Sequence, residues 1–426
     1  MHIVIIGNGV AGITAARHIR KRSDYRITVI SSESKYFFSR TALMYIYMGH
    51  LTLKQTEPYE DWFWEKNRID LLADRVEAVE TANKTLRLAS GGTLRYDKLL
   101  IASGSRPRMF GWKGQELGGV QGFYSLQDLQ TMIHATARSK RAVVVGGGLI
   151  GVEVAEMLHS RKIHVTFLAR EARYWGNVLP DAESEMVSAH IREHEGVDLR
   201  LNTELREILP DSAGRARAVV TSADEEIPCD FVALTVGVEP NIDFARSSGI
   251  EIGRGILVND CFETSTPDVY AVGDCAEIVQ TDASGAQSSR VEQLWYAARA
   301  HGECVAKTIC GEPSPYRRDV FFNSAKFFDL EYQTYGDVSA RPKSGEASAL
   351  WKDDAAKRLV RIVYADDETR RVLGFNLLGV RYRQEVCSEW IRRGESLQSV
   401  VENLEKANFD PEFTAAHEPF VREILR

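Results

Sequence analysis

Twice along the chain a short apolar run breaks on a cluster of glycines. HIVII leads into GNGVAG at the start, and AVVV (residues 142–145) leads into GGGLIG. Continuous runs rich in Val and Ile predict strands buried on both faces. The residues after each glycine cluster have helical spacing, so strand–turn–helix occurs twice. Between the two, IDLLADRVEAVETANKTLRLASGGTLRYDKLLIASG alternates apolar and polar residues around a Gly-Gly turn and predicts strands with a hairpin. DFVALTVG predicts another buried strand, and residues 269–272 a further one ending in Gly273-Asp274. Beyond residue 320 the pattern changes. ALWK, RLVRIVYAD and RVLGFNLLG read as strands, RYRQEVCSEWIRRG as a helix, and SLQSVVENL as another. That is an α+β region of its own.

Both glycine clusters have the spacing G-x-G-x-x-G. The first is Gly7, Gly9 and Gly12; the second is Gly146, Gly148 and Gly151. The first glycine of such a loop makes the tight turn, and the second lets backbone approach a pyrophosphate. The third allows close helix–strand packing, with the helix N-terminus facing the anion. One such loop can be a plain connector. Two in strand–turn–helix context predict two bound dinucleotides, with electrons passing between them. Asp274 is placed to accept hydrogen bonds from a chain of sugar-like hydroxyls, with the positive end of a following helix nearby.

The chain has 426 residues, enough for two to three domains, and a net charge of −7, which argues against nucleic acid as the main partner. No apolar run reaches transmembrane length, and the first residues enter a strand at once, so a cytoplasmic protein without a signal peptide is expected. The six cysteines show neither C-x-x-C nor metal spacing and read as scattered small apolar residues; no metal site is expected.

These motifs, with LLIASGSRPR (residues 99–108) and LTVGVEPN (residues 234–241), resemble the pyridine nucleotide-disulfide oxidoreductase superfamily over nearly the whole chain. The resemblance implies an α/β fold of two Rossmann-like dinucleotide-binding domains, for FAD and NAD(P), plus a C-terminal α+β dimerisation domain. The FAD domain would be discontinuous, 1–111 and 237–319, with the NAD(P) domain at 112–236 and the interface domain at 320–426. By match, Gly7, Gly9 and Gly12 hold FAD, Asp274 beside Gly273 holds its ribityl chain, and Glu33 grips the adenosine ribose, with Ser31 or Ser32 sharing the task. Ser103, Gly104 and Gly237 join the FAD site, and Gly146, Gly148 and Gly151 hold NAD(P)H.

Disulfide reductases of this superfamily carry C-x-x-x-x-C after the first βαβ unit, and an oxidase branch keeps one cysteine. Here the stretch reads KYFFSRTALMYIYMGHL, with Thr41 at the nucleophile position. A hydroxyl cannot cycle through sulfenate or mixed disulfide. SRTAL instead resembles the R-x-x-L element of ferredoxin and rubredoxin reductases and the flavin part of nitrite reductase, matching Arg40 and Leu43; Met44 stands where many relatives have Lys. An aliphatic Leu149 fits the same group. LWYAARAHGECVAKTICG resembles its W-x-x-A-x-x-Q-G helix, with Trp295 and Gly302 matched and His301 replacing the glutamine. Trp295 lines the flavin or acceptor face, or else packs on a buried helix stripe. The tail, residues 407–420, resembles that of the oxidase branch through Phe409, Pro411, Phe413, Glu418 and Pro419, which implies a homodimer. His417 is expected to be an ordinary surface histidine.

At the end of the strand HVTFL stand Ala169 and Arg170, where an NADH site usually has an acid. A neutral residue followed by arginine favours NADPH modestly, and Arg173 adds to it, while Glu171 opposes. The alternative is a solvated loop arginine. Glu153 matches a glutamate that orients the nicotinamide; otherwise it is a helix carboxylate in a structural ion pair. The leading expectation is an FAD-dependent NAD(P)H:acceptor oxidoreductase delivering electrons to a ferredoxin- or rubredoxin-type protein. An NAD(P)H oxidase or quinone reductase, and a flavin-bearing redox sensor, are compatible with the same residues.

Overall fold

The computed structural model describes residues 1–281, 286–409, 411–413 and 415–424. The chain forms two compact units. One comprises Met1–Met109, Gly122–Ala137 and Gly237–Arg317, the other Phe110–Gln121, Arg138–Val236 and Arg318–Arg426. The segment Gly122–Ala137, which the sequence places with the second nucleotide domain, thus belongs to the first unit.

The first unit is built on a five-stranded parallel sheet. Its order is Val269–Ala271, Lys98–Ile101, His2–Ile6, Arg26–Ser31, Ile69–Ala73. Ile3, Val4 and Ile5 are fully buried, as a central strand covered on both faces requires. The helices Val10–Arg20 and Trp295–Ile309 cross where Gly302 leaves no room for a side chain; a Cβ there would lie 2.5 Å from the Ala11 carbonyl oxygen. The expected hairpin region forms a three-stranded antiparallel sheet, Val76–Glu80, Thr85–Leu88 and Thr93–Arg95.

The second unit repeats the plan. Its parallel sheet runs Val197–Arg200, His164–Leu168, Arg141–Val145, Phe231–Leu234, Val120–Gln121. It too has a three-stranded antiparallel appendage, Leu205–Pro210, Ala216–Thr221 and Glu226–Pro228. The C-terminal region adds a five-stranded antiparallel sheet and the helices Gln384–Arg393, Leu397–Glu402 and Glu418–Ile424. The three strands read from the sequence are there, at Glu346–Asp353, Arg358–Ala365 and Val372–Leu378. Two more, Phe322–Phe327 and Leu330–Gly336, complete the sheet.

Candidate functional site

In the first unit the loop after His2–Ile6 turns at Gly7, whose φ of +105° is open only to glycine at low cost. A Cβ at Gly7 would meet the Ala102 carbonyl oxygen at 2.1 Å, and one at Gly12 would meet the Gly7 carbonyl oxygen at 2.1 Å. Gly9, the N-cap of helix Val10–Arg20, has nothing within 4 Å of its Cβ position. The loop is therefore packed hard on the inside and open in front of the helix N-terminus, which is the shape a pyrophosphate needs.

Beside it lies a polar cluster. Glu33, two residues past the strand, takes a two-pronged ion pair from Arg40, with N···O distances of 2.7 and 2.5 Å, and the backbone N–H of Leu126. Arg40 also donates to the Tyr124 carbonyl, and its guanidinium lies 4.4 Å from the Tyr124 ring centre. Ser105 Oγ donates to Asp274 Oδ2 at 3.0 Å and Tyr124 O–H does so at 3.3 Å. Burial pushes the Asp274 carboxyl up, opposed by these two hydroxyls and by the Arg40 charge. Gly104 (φ +69°) carries no side chain where Tyr124 O–H approaches, Ser103 Oγ donates to the Asn241 carbonyl, and Gly237 has open space at its Cβ position. The chemistry of FAD fits these groups: an open helix N-terminus for its phosphates and carboxylates for its hydroxyls.

Tyr124 and Gln293, which donates to Ser105 Oγ at 3.0 Å, carry no motif that marks them in the sequence, and nothing singles out Ser105 within the LLIASGSRPR stretch. Tyr124 was out of reach because its segment returns to the first unit. Only its place after a Gly-rich stretch and before the capping box of Ser125 distinguishes it.

His301 is fully buried. Its Nδ1 accepts the Gly273 N–H at 3.3 Å, and its Nε2 faces Glu292 Oε2 at 3.0 Å. Glu292 also accepts from Tyr316 O–H and Arg290 Nε. Burial would raise the Glu292 carboxyl, yet hydrogen bonds from His301 and Arg290 hold it at about 2. This network braces the turn at Gly273 where the sequence predicts a helix start. No helix follows Asp274: Gly273–Cys275 is a single 3-10 turn and Ala276–Thr281 is a strand. The β-prone AEIVQT run pairs antiparallel with Gln287–Val291 instead. Trp295 starts its helix on the half-exposed side, edge-on to Tyr296, and not on the buried stripe.

Thr41 is exposed and bonded to Ser39. All six cysteines are free, and Cys275 is sealed, its Sγ donating to the Val272 carbonyl at 3.2 Å. Burial raises its thiol.

In the second unit Gly146 (φ +117°) and Gly151 repeat the clashes: added Cβ atoms would lie 2.5 Å from the Thr235 carbonyl oxygen and 2.1 Å from that of Gly146. Gly148 caps helix Leu149–Ser160 and is open. The buried Tyr174 donates to the Gly148 carbonyl at 3.0 Å. Burial, then the Glu156 charge, push Glu153 up to about 7. Glu156 itself pairs with Lys326 at 2.6 Å. Ala169 is buried beneath Gly147, and the mostly exposed Arg170 pairs with Glu171 at 3.1 Å. Arg173 is tied to Asp181.

His417 is not a surface residue. It is 3% exposed, stacked between Trp351 and Tyr382, with Nε2 2.9 Å from Tyr382 Oη. The tail folds back through Asn408, which donates to Glu418, and carries the ring inward. Phe409, Phe413 and Phe420 stay exposed.

The family model for pyridine nucleotide-disulphide oxidoreductases matches residues 1–302. The chain belongs to that family. Its members are redox enzymes of nicotinamide nucleotides, and this chain falls in the branch that resembles ferredoxin and rubredoxin reductases and lacks the disulfide. It is 32% identical over 74% of its length to the ferredoxin–NAD(+) reductase component of the biphenyl dioxygenase system of Paraburkholderia xenovorans (strain LB400), covering 76% of that protein. To the nitrite reductase [NAD(P)H] of Bacillus subtilis (strain 168) it is 31% identical over 79% of its length, yet spans only 41% of that larger protein. The fold matches a NAD-dependent persulfide reductase from A. fulgidus with a TM-score of 0.84 at 26% identity, over 100% of this chain and 82% of that one. Among the described residues no helix is long and apolar enough to cross a membrane.

Proposed function

We propose that the protein takes electrons from NAD(P)H through FAD and passes them to a small iron–sulfur carrier protein of the ferredoxin or rubredoxin kind. The observation that carries this reading is the thiol-free stretch around Arg40. Where disulfide-reducing relatives would hold a nucleophilic cysteine, this chain has exposed Thr41, and the adjacent Arg40 is locked on Glu33. The relatives named for ferredoxin and rubredoxin reduction support the acceptor class.

FAD, when bound, converts a two-electron donor into a source of single electrons. The chain's own residues do the rest. Gly7, Gly9 and Gly12 leave the helix N-terminus open to pyrophosphate. Asp274 accepts ribityl hydroxyls with its second oxygen while Ser105 and Tyr124 hold the first. Glu33 serves the adenosine ribose, with Arg40 fixing its orientation. Gly146, Gly148 and Gly151 do the same for NAD(P)H, and Glu153, poised near neutrality, positions the nicotinamide carboxamide. Trp295 lines the acceptor face from its half-exposed position. The exposed Phe409, Phe413 and Phe420 support a homodimer through the C-terminal α+β region.

The deciding experiment is steady-state NAD(P)H oxidation by protein with all accessible cysteines alkylated. Ferredoxin, rubredoxin, ferricyanide, quinone and oxygen serve in turn as acceptors. Fast, alkylation-resistant reduction of a carrier protein supports the proposal. Turnover abolished by alkylation, or restricted to oxygen and quinone, overturns it. Negligible turnover with every acceptor indicates a redox sensor.

A further inference from the structure

We propose that His190, His194 and Asp329 form a binding site for a borderline transition-metal dication of the Zn2+ class. His190, Glu193 and His194 stand in the order H-x-x-E-H at the end of helix Asp181–Arg192. Glu193 caps the helix and His194 follows it, its N–H donating to the Ile191 carbonyl at 3.3 Å, which brings the two imidazoles edge-on with ring centres 4.9 Å apart. The turn between strands Phe322–Phe327 and Leu330–Gly336 brings Asp329 against them, and the three ligand atoms lie within 4.8 Å of one another. Asp329 Oδ1 is 2.7 Å from His190 Nε2 and 3.5 Å from His194 Nε2. Ligands on one zinc ion, each about 2.0–2.2 Å from it, stand at comparable separations.

Three details point to a ligand. First, His194 Nδ1 lies 3.0 Å from the His190 carbonyl oxygen and must donate to it. That fixes the tautomer and leaves Nε2 as a lone pair aimed at Asp329, the usual outer support of a metal-bound histidine. Second, His190 is 3% exposed and its Nε2 faces the mostly exposed Asp329 carboxylate at 2.7 Å, so a buried imidazole nitrogen and an open oxygen ligand point at the same spot. Third, the His194 ring is held, stacked on Phe328 at 4.1 Å and edge-on to His159. The donors are two nitrogens and one oxygen, and the exposed side of Asp329 leaves room for water. That set suits Zn2+, Co2+ or Ni2+ and not Ca2+ or Mg2+.

One neighbour opposes the ion. Lys357 Nζ is 3.0 Å from His190 Nδ1 and donates to it. A metal on Nε2 moves the ring proton to Nδ1, which then faces the ammonium. No net proton is released, but Lys357 must turn fully to Glu193, its other partner. Lys357 is thus an antagonist of the site, a role that general stickiness toward metals would not give it.

The test uses the full chain with its flavin retained, stripped of metal by chelation and titrated with zinc chloride by calorimetry. One ion per chain is expected. His194→Ala and Asp329→Asn should each weaken binding by more than about tenfold, as loss of even an outer support costs that much. Lys357→Met should tighten it several-fold. Both weakening substitutions fall on residues with some exposure, and melting without metal checks their fold. Co2+ in the parent protein should give visible d–d bands without thiolate charge-transfer absorption. No binding, binding indifferent to His194→Ala, no gain from Lys357→Met, or a thiolate band assigning the ion to cysteine would each overturn the proposal.

Discussion

The two glycine loops share a backbone and differ in the side chains around it. In both, the first glycine sits at positive φ against the carbonyl of a neighbouring strand end, and the third packs on the carbonyl of the first. The strand registers are also the same: Gly7 N–H donates to Ile30 and Gly146 N–H to Leu168. Three residues further on, Glu33 and Glu171 occupy equivalent places. The first, 19% exposed, is locked by Arg40 and the Leu126 N–H; the second, 29% exposed, pairs with Arg170, itself 73% exposed. Inside the first helix, Thr14 stands where the second has Glu153. Steric rules therefore set the loop, while charge placement distinguishes a preorganised first site from a solvent-tuned second one.

The largest effects should fall on the shared part. Gly7→Ala and Gly146→Ala force a Cβ onto a backbone carbonyl at positive φ, so each should cost several kcal/mol, on the order of 3 or more, and yield insoluble or unfolded protein. Gly9→Ala and Gly148→Ala add a methyl to open space. They should keep the fold, read by circular dichroism, while blocking the approach of phosphate. Gly9→Ala should lose FAD and Gly148→Ala should raise KM for the nicotinamide nucleotide. Normal cofactor retention in both would break the equivalence of the loops.

Next is Asp274→Ala. Charge-assisted hydrogen bonds contribute roughly 1.5–3 kcal/mol each, so FAD should bind about tenfold to a hundredfold more weakly. Fluorescence of released flavin measures it. Ser105→Ala, which only orients that carboxylate, should lose less.

The repeated loop was legible because its constraints are local. A glycine that must avoid a carbonyl leaves a sequence mark, and so does a Val- or Ile-rich strand between helices. The residues around Asp274 were less legible because they converge from Ser105, Tyr124 and Gln293, far apart in the chain. Neighbouring sequence carries no sign of such convergence. The expected helix after Asp274 fails for a similar reason. Local pattern favoured a repeat of the loop–helix theme, while a strand partner ten residues on decided otherwise. His417 misled because a polar residue near a chain end is usually exposed, and only the Trp351 and Tyr382 rings turn it inward.

A smaller difference between the sites should appear with pH. Glu153 is held at about 7, well above the ordinary value of an exposed glutamate, chiefly by burial. The unfolded chain ionises this group above its ordinary value while the folded chain keeps the proton up to about 7. The contribution to stability is therefore fully present at low pH, is lost as pH rises toward 7, and levels off above it. Against Glu153→Gln, the parent should lose on the order of 2 kcal/mol between pH 4.5 and 7.5, read as a falling difference in Tm. Thr14→Ser, at the equivalent place in the first unit, should show no such slope.

The smallest effect concerns the choice between NADPH and NADH. Arg170 is exposed and already paired with Glu171, so its attraction for a 2′-phosphate is screened and partly cancelled. Exposed ion pairs contribute about 0.2–1 kcal/mol, which is less than about fivefold in kcat/KM. The parent should prefer NADPH by no more than that. Glu171→Gln frees the arginine and removes the acid that is equivalent to Glu33, so it should raise the NADPH preference. Arg170→Glu should reverse it, and both shifts should shrink in high salt. If Glu171→Gln instead impairs NADH and NADPH equally, then Glu171 grips the adenosine ribose as Glu33 is proposed to do. The two sites would then share their charge logic as well as their backbone.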